Sequence, residues 1–215
     1  YLEPLALALS KKACQPVKMV MSRDEVFRAT GPTSGGNVKV KIGVTNDGQM
    51  TAGDCTLVYQ AGAFPGAPIQ PGCMSAFAPY KLEHVRVVGY DVVVNRPKVA
   101  AYRAPGAPIS EFGVECLIDE ITQALNIDPV EFRLMNGAVE GVQAPYGPRY
   151  GPIGLEKTLK AAQDSEHYSV ALGPNQGRGV ASGFWFNIGG ETCATINVGE
   201  DGSVALVAGT PDIGG

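Results

Sequence analysis

Val38-Lys39-Val40-Lys41-Ile42-Gly43-Val44-Thr45-Asn46-Asp47-Gly48-Gln49-Met50 alternates apolar and polar side chains up to Val44 and then turns. Period two is the pattern of a half-buried strand. Asn46-Asp47-Gly48 supplies residues that tolerate a tight reversal, so a second strand is predicted from Met50 to about Gln60. Outward from this hairpin, helices and strands follow without regular alternation. Pro4 suits the first turn of a helix reaching about Ala13. Val17–Met21 alternates like a strand, and Ser22-Arg23-Asp24-Glu25 has capping-box spacing. Residues 61–79 carry so many glycines and prolines that an irregular loop is expected, with a valine-rich strand after it at His84–Val94. Ser110 is placed to cap a helix running to about Leu125, with Val114, Leu117, Ile118, Ile121 and Leu125 on one stripe. Asp128-Pro129 opens another helix, and Asn136-Gly137 ends it. A helix over Leu155–Ser165 and strands at Gly179–Asn187, Ala194–Val198 and Val204–Ala208 complete the reading, which makes the class α+β.

The 215 residues carry a net charge of −4, with 45% apolar and 18% charged side chains. Glycine (28) and proline (16) are abundant but follow no Gly-x-y period. That excludes a collagen-like chain and fits a globular body with long ordered loops. Scattered basic residues and an acidic balance argue against nucleic acid as a partner. No apolar run approaches the roughly 18–20 residues of a membrane span. The five cysteines form no Cys-x-x-Cys pair, which argues against a disulfide framework, an iron–sulfur cluster or a zinc site and makes the cytoplasm the expected compartment. The chain opens at Tyr1 and stops at Gly214-Gly215 without a terminating element, as a piece cut from a longer polypeptide would.

The segment with the most unusual chemistry is Ala101-Tyr102-Arg103-Ala104-Pro105-Gly106-Ala107-Pro108. Two prolines and a glycine force a defined path between a strand and a helix, and small residues let a ligand approach the main chain. Arg103 presents a fork of donors beside a helix start, a setting suited to an anionic, hydrogen-bond-rich ligand. An arginine in a surface connector is the commoner role of such a pattern.

Together with Phe112, Glu115, Asp119-Glu120, Leu125, Asp128-Pro129, Glu131, Arg133 and Asn136, that segment resembles the molybdopterin-binding large subunit of the xanthine dehydrogenase/aldehyde oxidase family. Pro16–Glu25 and the stretch from Asp201-Gly202 to Gly214-Gly215 carry the resemblance further. It implies that Ala101, Tyr102 and Arg103 contact a molybdopterin cofactor, in mono- or dinucleotide form. It also implies that Gly214 and Gly215 meet the cofactor through their backbone, and that Phe184 or Trp185 stacks on substrate. No residue of this chain is expected to ligate the metal. The family's catalytic glutamate and its Gly-Gly-Phe-Gly-type loop fall outside these residues, so no catalytic residue is expected within them.

Residues 1–136 then read as the first part of a molybdopterin-binding region, 137–177 as a Gly/Pro-rich linker with one helix, and 178–215 as the start of a second such region. The implied reaction is oxidation of an aldehyde or N-heterocycle with water as the oxygen source. Electrons would leave through iron–sulfur and FAD modules on other domains or subunits. Pro105 stands where purine-hydroxylating members carry an aromatic, and no arginine lies between Val58 and Tyr80, which argues against a purine substrate. A non-catalytic cofactor-binding or structural relative is the alternative. Glu115 and Glu120 are expected in solvated or capping roles on their helix.

Overall fold

The computed structural model describes residues 2–186 and 191–209, in two compact units, 1–185 and 186–215. In the first unit, α1 (Leu2–Ala13) has no buried residue, with Leu2, Ala6 and Ser10 half-buried and Pro4 in its opening turn. The stretch from Pro16 to Met21 forms no strand: it pairs with no other strand of the described residues, and alternation alone cannot hold a ladder. Ser22 caps α2 (Arg23–Ala29) through a reciprocal box with Glu25. The hairpin is present as β1 (Gly36–Val44) and β2 (Met50–Gly62), antiparallel, with Val38 opposite Leu57 and Val40 opposite Cys55.

The connection after β2 is not wholly irregular. It contains α3 (Ile69–Ser75), followed by β3 (His84–Val93) parallel to β2, so the sheet has the order β1-β2-β3. Pro71 lies in the first turn of α3, where a missing N–H costs nothing. Gly72 is required by packing, because a Cβ there would sit 2.9 Å from the Tyr59 hydroxyl.

β2 is the central strand, and its Cys55, Leu57, Tyr59 and Ala61 are fully buried on one face. They meet Phe77 and Tyr80, with Val114 and Ile118 of α4 (Ala107–Leu125) and Phe132 of α5 (Pro129–Asn136) completing the core. Each large side chain buried there contributes about 1.5–3 kcal/mol. The N-cap of α4 is Gly106 rather than Ser110, whose hydroxyl donates back to the carbonyl of Ala107. Asp128 caps α5 as expected, accepting from the N–H groups of Val130 and Glu131. Asn136 then ties α5 to the hairpin turn: it accepts from Met50 N–H and donates to Gly48 O.

Residues 137–177 pack on this body. α6 (Leu155–Gln163) lies against α5, α7 (Glu166–Ser169) follows it, and Tyr150 donates to Ala78 O at 2.7 Å. Residues 179–186 are extended but pair with no strand, correcting the expected strand there. The N–H groups of Ser182 and Phe184 find carboxylates of α4 instead. In the second unit, β4 (Ala194–Val198) and β5 (Val204–Ala208) form an antiparallel hairpin whose turn Asp201 closes by accepting from Ser203 N–H. No helix among the described residues is long and apolar enough to cross a membrane.

Candidate functional site

The chain reaches the 101–106 turn already tethered, by Val99 N–H on Ala61 O and Ala100 N–H on Pro32 O. Two residues of the turn have left-handed backbone, Ala104 (φ 53) and Gly106 (φ 91). For alanine this conformation is strained by roughly 1–2 kcal/mol, and it persists only where surrounding contacts over-determine it. Those contacts are present. The Tyr59 hydroxyl donates to Gly106 O at 2.8 Å, and Ala107 N–H closes on Ala104 O at 3.1 Å. A Cβ on Gly106 would lie 2.1 Å from Pro68 O, so α3 leaves room for glycine alone. From this rigid base Tyr102, 67% exposed, and Arg103 project outward. The Arg103 guanidinium has no hydrogen bond or ion pair among the described residues. A cationic fork held on a fixed turn, with its donors unspent, can bind an anionic or heteroatom-rich ligand.

The second predicted stretch, Phe184-Trp185, is joined to the same helix. Glu111 and Glu115 occupy successive turns of α4; Glu111 lies about 6 Å along the axis from the helix start, at a rise of about 1.5 Å per residue. Glu111 Oε1 accepts from Phe184 N–H at 2.8 Å, and Glu115 Oε2 accepts from Ser182 N–H at 2.7 Å. Two residues 73 apart in sequence are thereby fixed to one another. Phe184 is half-buried against Tyr146 and Tyr150, with ring centroids 5.7 and 6.1 Å away. It forms part of the wall of an apolar cleft of about 420 Å³ with Ala138, Tyr150, Leu159 and Val180. Ser182 Oγ is buried in that wall with no hydrogen-bond partner among the described residues. Trp185 is 40% exposed.

Glu115 is not solvated, contrary to expectation. Its carboxylate takes Arg133 Nε at 3.0 Å and Nη2 at 2.7 Å, together with the Tyr80 hydroxyl. Arg133 is wholly buried and also reaches Asp119 and Pro129 O. A helix-surface glutamate is ordinarily exposed; here a buried arginine from α5 supplies the compensating charge. Burial works against the Arg133 cation, but Glu115, Tyr80 and Asp119 outweigh it and raise its pKa. Burial also raises Tyr80, and the Glu115 charge adds to it. Glu111 has no such cation. Burial pushes its carboxyl up to about 7; the Phe184 N–H opposes this and the neighbouring Glu115 adds to it.

The structure thus brings Ala101, Tyr102 and Arg103 together on one turn, and links Phe184 to the helix that this turn begins. Gly214 and Gly215 lie outside the described residues. Glu111, Tyr59 and Ser182 were not anticipated. The only trace of Glu111 in the sequence is its spacing of four from Glu115, which places both on one helix face. No group of three or more His, Cys, Asp or Glu among the described residues could hold a metal ion.

Residues 1–137 match the family model of the molybdopterin cofactor-binding domain. The chain is 29% identical to the xanthine dehydrogenase molybdenum-binding subunit of Escherichia coli O157:H7, over 99% of this chain and 31% of that protein. It is also 29% identical to the nicotinate dehydrogenase large molybdopterin subunit of Eubacterium barkeri, over 70% of this chain and 36% of that protein. The aldehyde oxidoreductase of Desulfovibrio gigas superposes with a TM-score of 0.70 at 25% identity, over 75% of this chain and 18% of that one. The chain spans about a third of the length of these curated relatives.

Proposed function

The chain belongs to the family of molybdopterin cofactor-binding domains, and from that premise we propose that it forms part of the cofactor-binding subunit of a molybdenum hydroxylase. The whole enzyme oxidises an aldehyde or N-heterocycle, taking its oxygen from water. One observation carries this reading at the residue level: Arg103 stands exposed on a locked turn with no partner among the described residues. The donor set fits the group. The exposed Arg103 guanidinium and Tyr102 phenol offer donors suited to the heteroatom-rich edge of a pterin or its phosphate, and the small side chains of Ala101 and Ala104 allow close approach. Gly214 and Gly215 complete the proposed cofactor contacts through their backbone.

When bound, the cofactor supplies the two-electron redox chemistry of its molybdenum. The residues of this chain bind and orient. Arg103 holds the cofactor through its guanidinium donors and is neither acid nor base in the reaction. Phe184 or Trp185 stacks on the substrate ring, and the apolar cleft walled by Phe184 suits a planar, weakly polar molecule while excluding water. Iron–sulfur and FAD modules elsewhere in the assembly take the electrons, and the enzyme works in the cytoplasm.

The test is Arg103→Ala and Arg103→Lys in the full-length enzyme, with molybdenum and pterin content measured per chain. A charged hydrogen bond of about 1.5–3 kcal/mol corresponds to roughly a 10- to 100-fold loss of cofactor affinity. Lysine should rescue poorly, because an ammonium does not reproduce a planar fork. Unchanged cofactor content and turnover in Arg103→Ala would make Arg103 an ordinary surface arginine.

A further inference from the structure

An extended segment that lies outside any sheet has no ladder to set its register. A slip of one residue in such a segment exchanges the side chains on its two faces. Residues 181–185 are in this situation: Ser182 and Phe184 sit on one face, and Trp185 falls on the other by simple alternation. What stands in for the ladder is a pair of carboxylates on α4, Glu115 on Ser182 N–H and Glu111 on Phe184 N–H. The two acceptors are one helical turn apart and serve alternate N–H groups, as a neighbouring strand would. Gly183, between them, is fitted to Glu111: a Cβ there would lie 3.1 Å from Glu111 Oε2. Glu115 is committed to Arg133 and Tyr80 as part of the buried network. Glu111 makes no such contribution to the core, and its hydrogen bond to Phe184 is the contact that distinguishes it.

We propose that Glu111 is a positioning residue, whose carboxyl group on Phe184 N–H fixes the register that puts Phe184, rather than Trp185, in the wall of the apolar cleft. The proposal rests on the reading of that cleft as the substrate side of the enzyme. It makes Glu111 a determinant of substrate fit without contact to substrate.

The experiment uses Glu111→Ala and Glu111→Gln in the full-length enzyme, with two readouts. Amide hydrogen exchange over residues 180–186 reports the latch whether or not the enzyme turns over. Glu111→Ala should speed exchange at Phe184 about tenfold, the loss of one hydrogen bond, whereas Glu111→Gln keeps an acceptor and should leave it near wild type. Steady-state kinetics should then show KM for an aldehyde or N-heterocycle raised about fivefold in Glu111→Ala, with kcat and molybdenum content little changed and KM restored in Glu111→Gln. Unchanged exchange in Glu111→Ala, or equal damage from glutamine, overturns the latch. Faster exchange with unchanged KM overturns the positioning role and leaves Glu111 a structural residue. A parent protein without molybdenum or turnover fails the functional reading alone, and the exchange result then decides the latch by itself.

Discussion

Gly106 carries more constraint than any other residue of the candidate site. Its φ of 91 and the 2.1 Å that would separate a Cβ from Pro68 O both forbid a side chain. Gly106→Ala should therefore cost upward of about 2 kcal/mol in a urea melt, as a strained backbone combined with a clash against main chain. Tyr59→Phe removes only the hydroxyl that donates to Gly106 O and should cost about 1 kcal/mol. The aromatic pair separates in the same way. Phe184→Ala opens the cleft wall beside Tyr146 and Tyr150 and should raise KM of the full-length enzyme about tenfold. Trp185→Phe should leave KM within about twofold. Kinetics of the two single variants check the assignment, and the reverse order would move the substrate contact to Trp185.

Two faces of α4 do different work. One face packs Val114 and Ile118 into the core, and the other offers Glu111, Glu115 and Asp119 to α5 and to residues 182–184. Arg133→Met would leave the Glu115 carboxylate buried without its cation, at a cost of about 3–5 kcal/mol. The double change Arg133→Met with Glu115→Leu should recover much of that loss, because neither charge then remains buried; chemical denaturation of both variants measures the difference. Glu111 makes stability depend on pH. Its folded pKa, about 7, lies above that of an unfolded glutamate, so the folded chain binds this proton more tightly than the unfolded one. The contribution is fully present below the unfolded value and is lost as pH rises through about 7. The charged groups near it are Glu115, with Asp119 and Arg133 behind. Glu111→Gln should flatten the fall in denaturation midpoint between pH 5 and 8, and a slope unchanged from wild type would place the titration elsewhere.

At the scale of the whole molecule, a cofactor held tightly must be covered on most of its surface. The first unit offers it an exposed turn with one guanidinium and one phenol, too few contacts to retain it. Residues 1–215 expressed alone should therefore purify folded, with the cooperative melt of the β2-centred core, and free of molybdenum. Near-stoichiometric metal in that preparation would show that these residues suffice. The full-length enzyme should carry the metal.

Local physics was legible in the chain. Period two in Val38–Val44 with Asn46-Asp47-Gly48 determined the hairpin, and Ser22–Glu25 and Asp128 determined two helix starts, because each depends on neighbours within a few residues; the family was legible from the 101–108 motif together with the residues from Phe112 to Asn136. Tertiary contacts decided the rest. α3 lay hidden behind Pro71 and Gly72, whose reasons are the first-turn position and the Tyr59 hydroxyl above it. The alternation at 179–186 looked like a strand, yet its N–H partners are carboxylates of α4 about 70 residues away. Glu115 looked like a surface glutamate until Arg133 was placed against it. A sequence pattern records which face of a segment avoids water, whereas the partner that satisfies a buried charge or an N–H group is chosen only when distant segments meet.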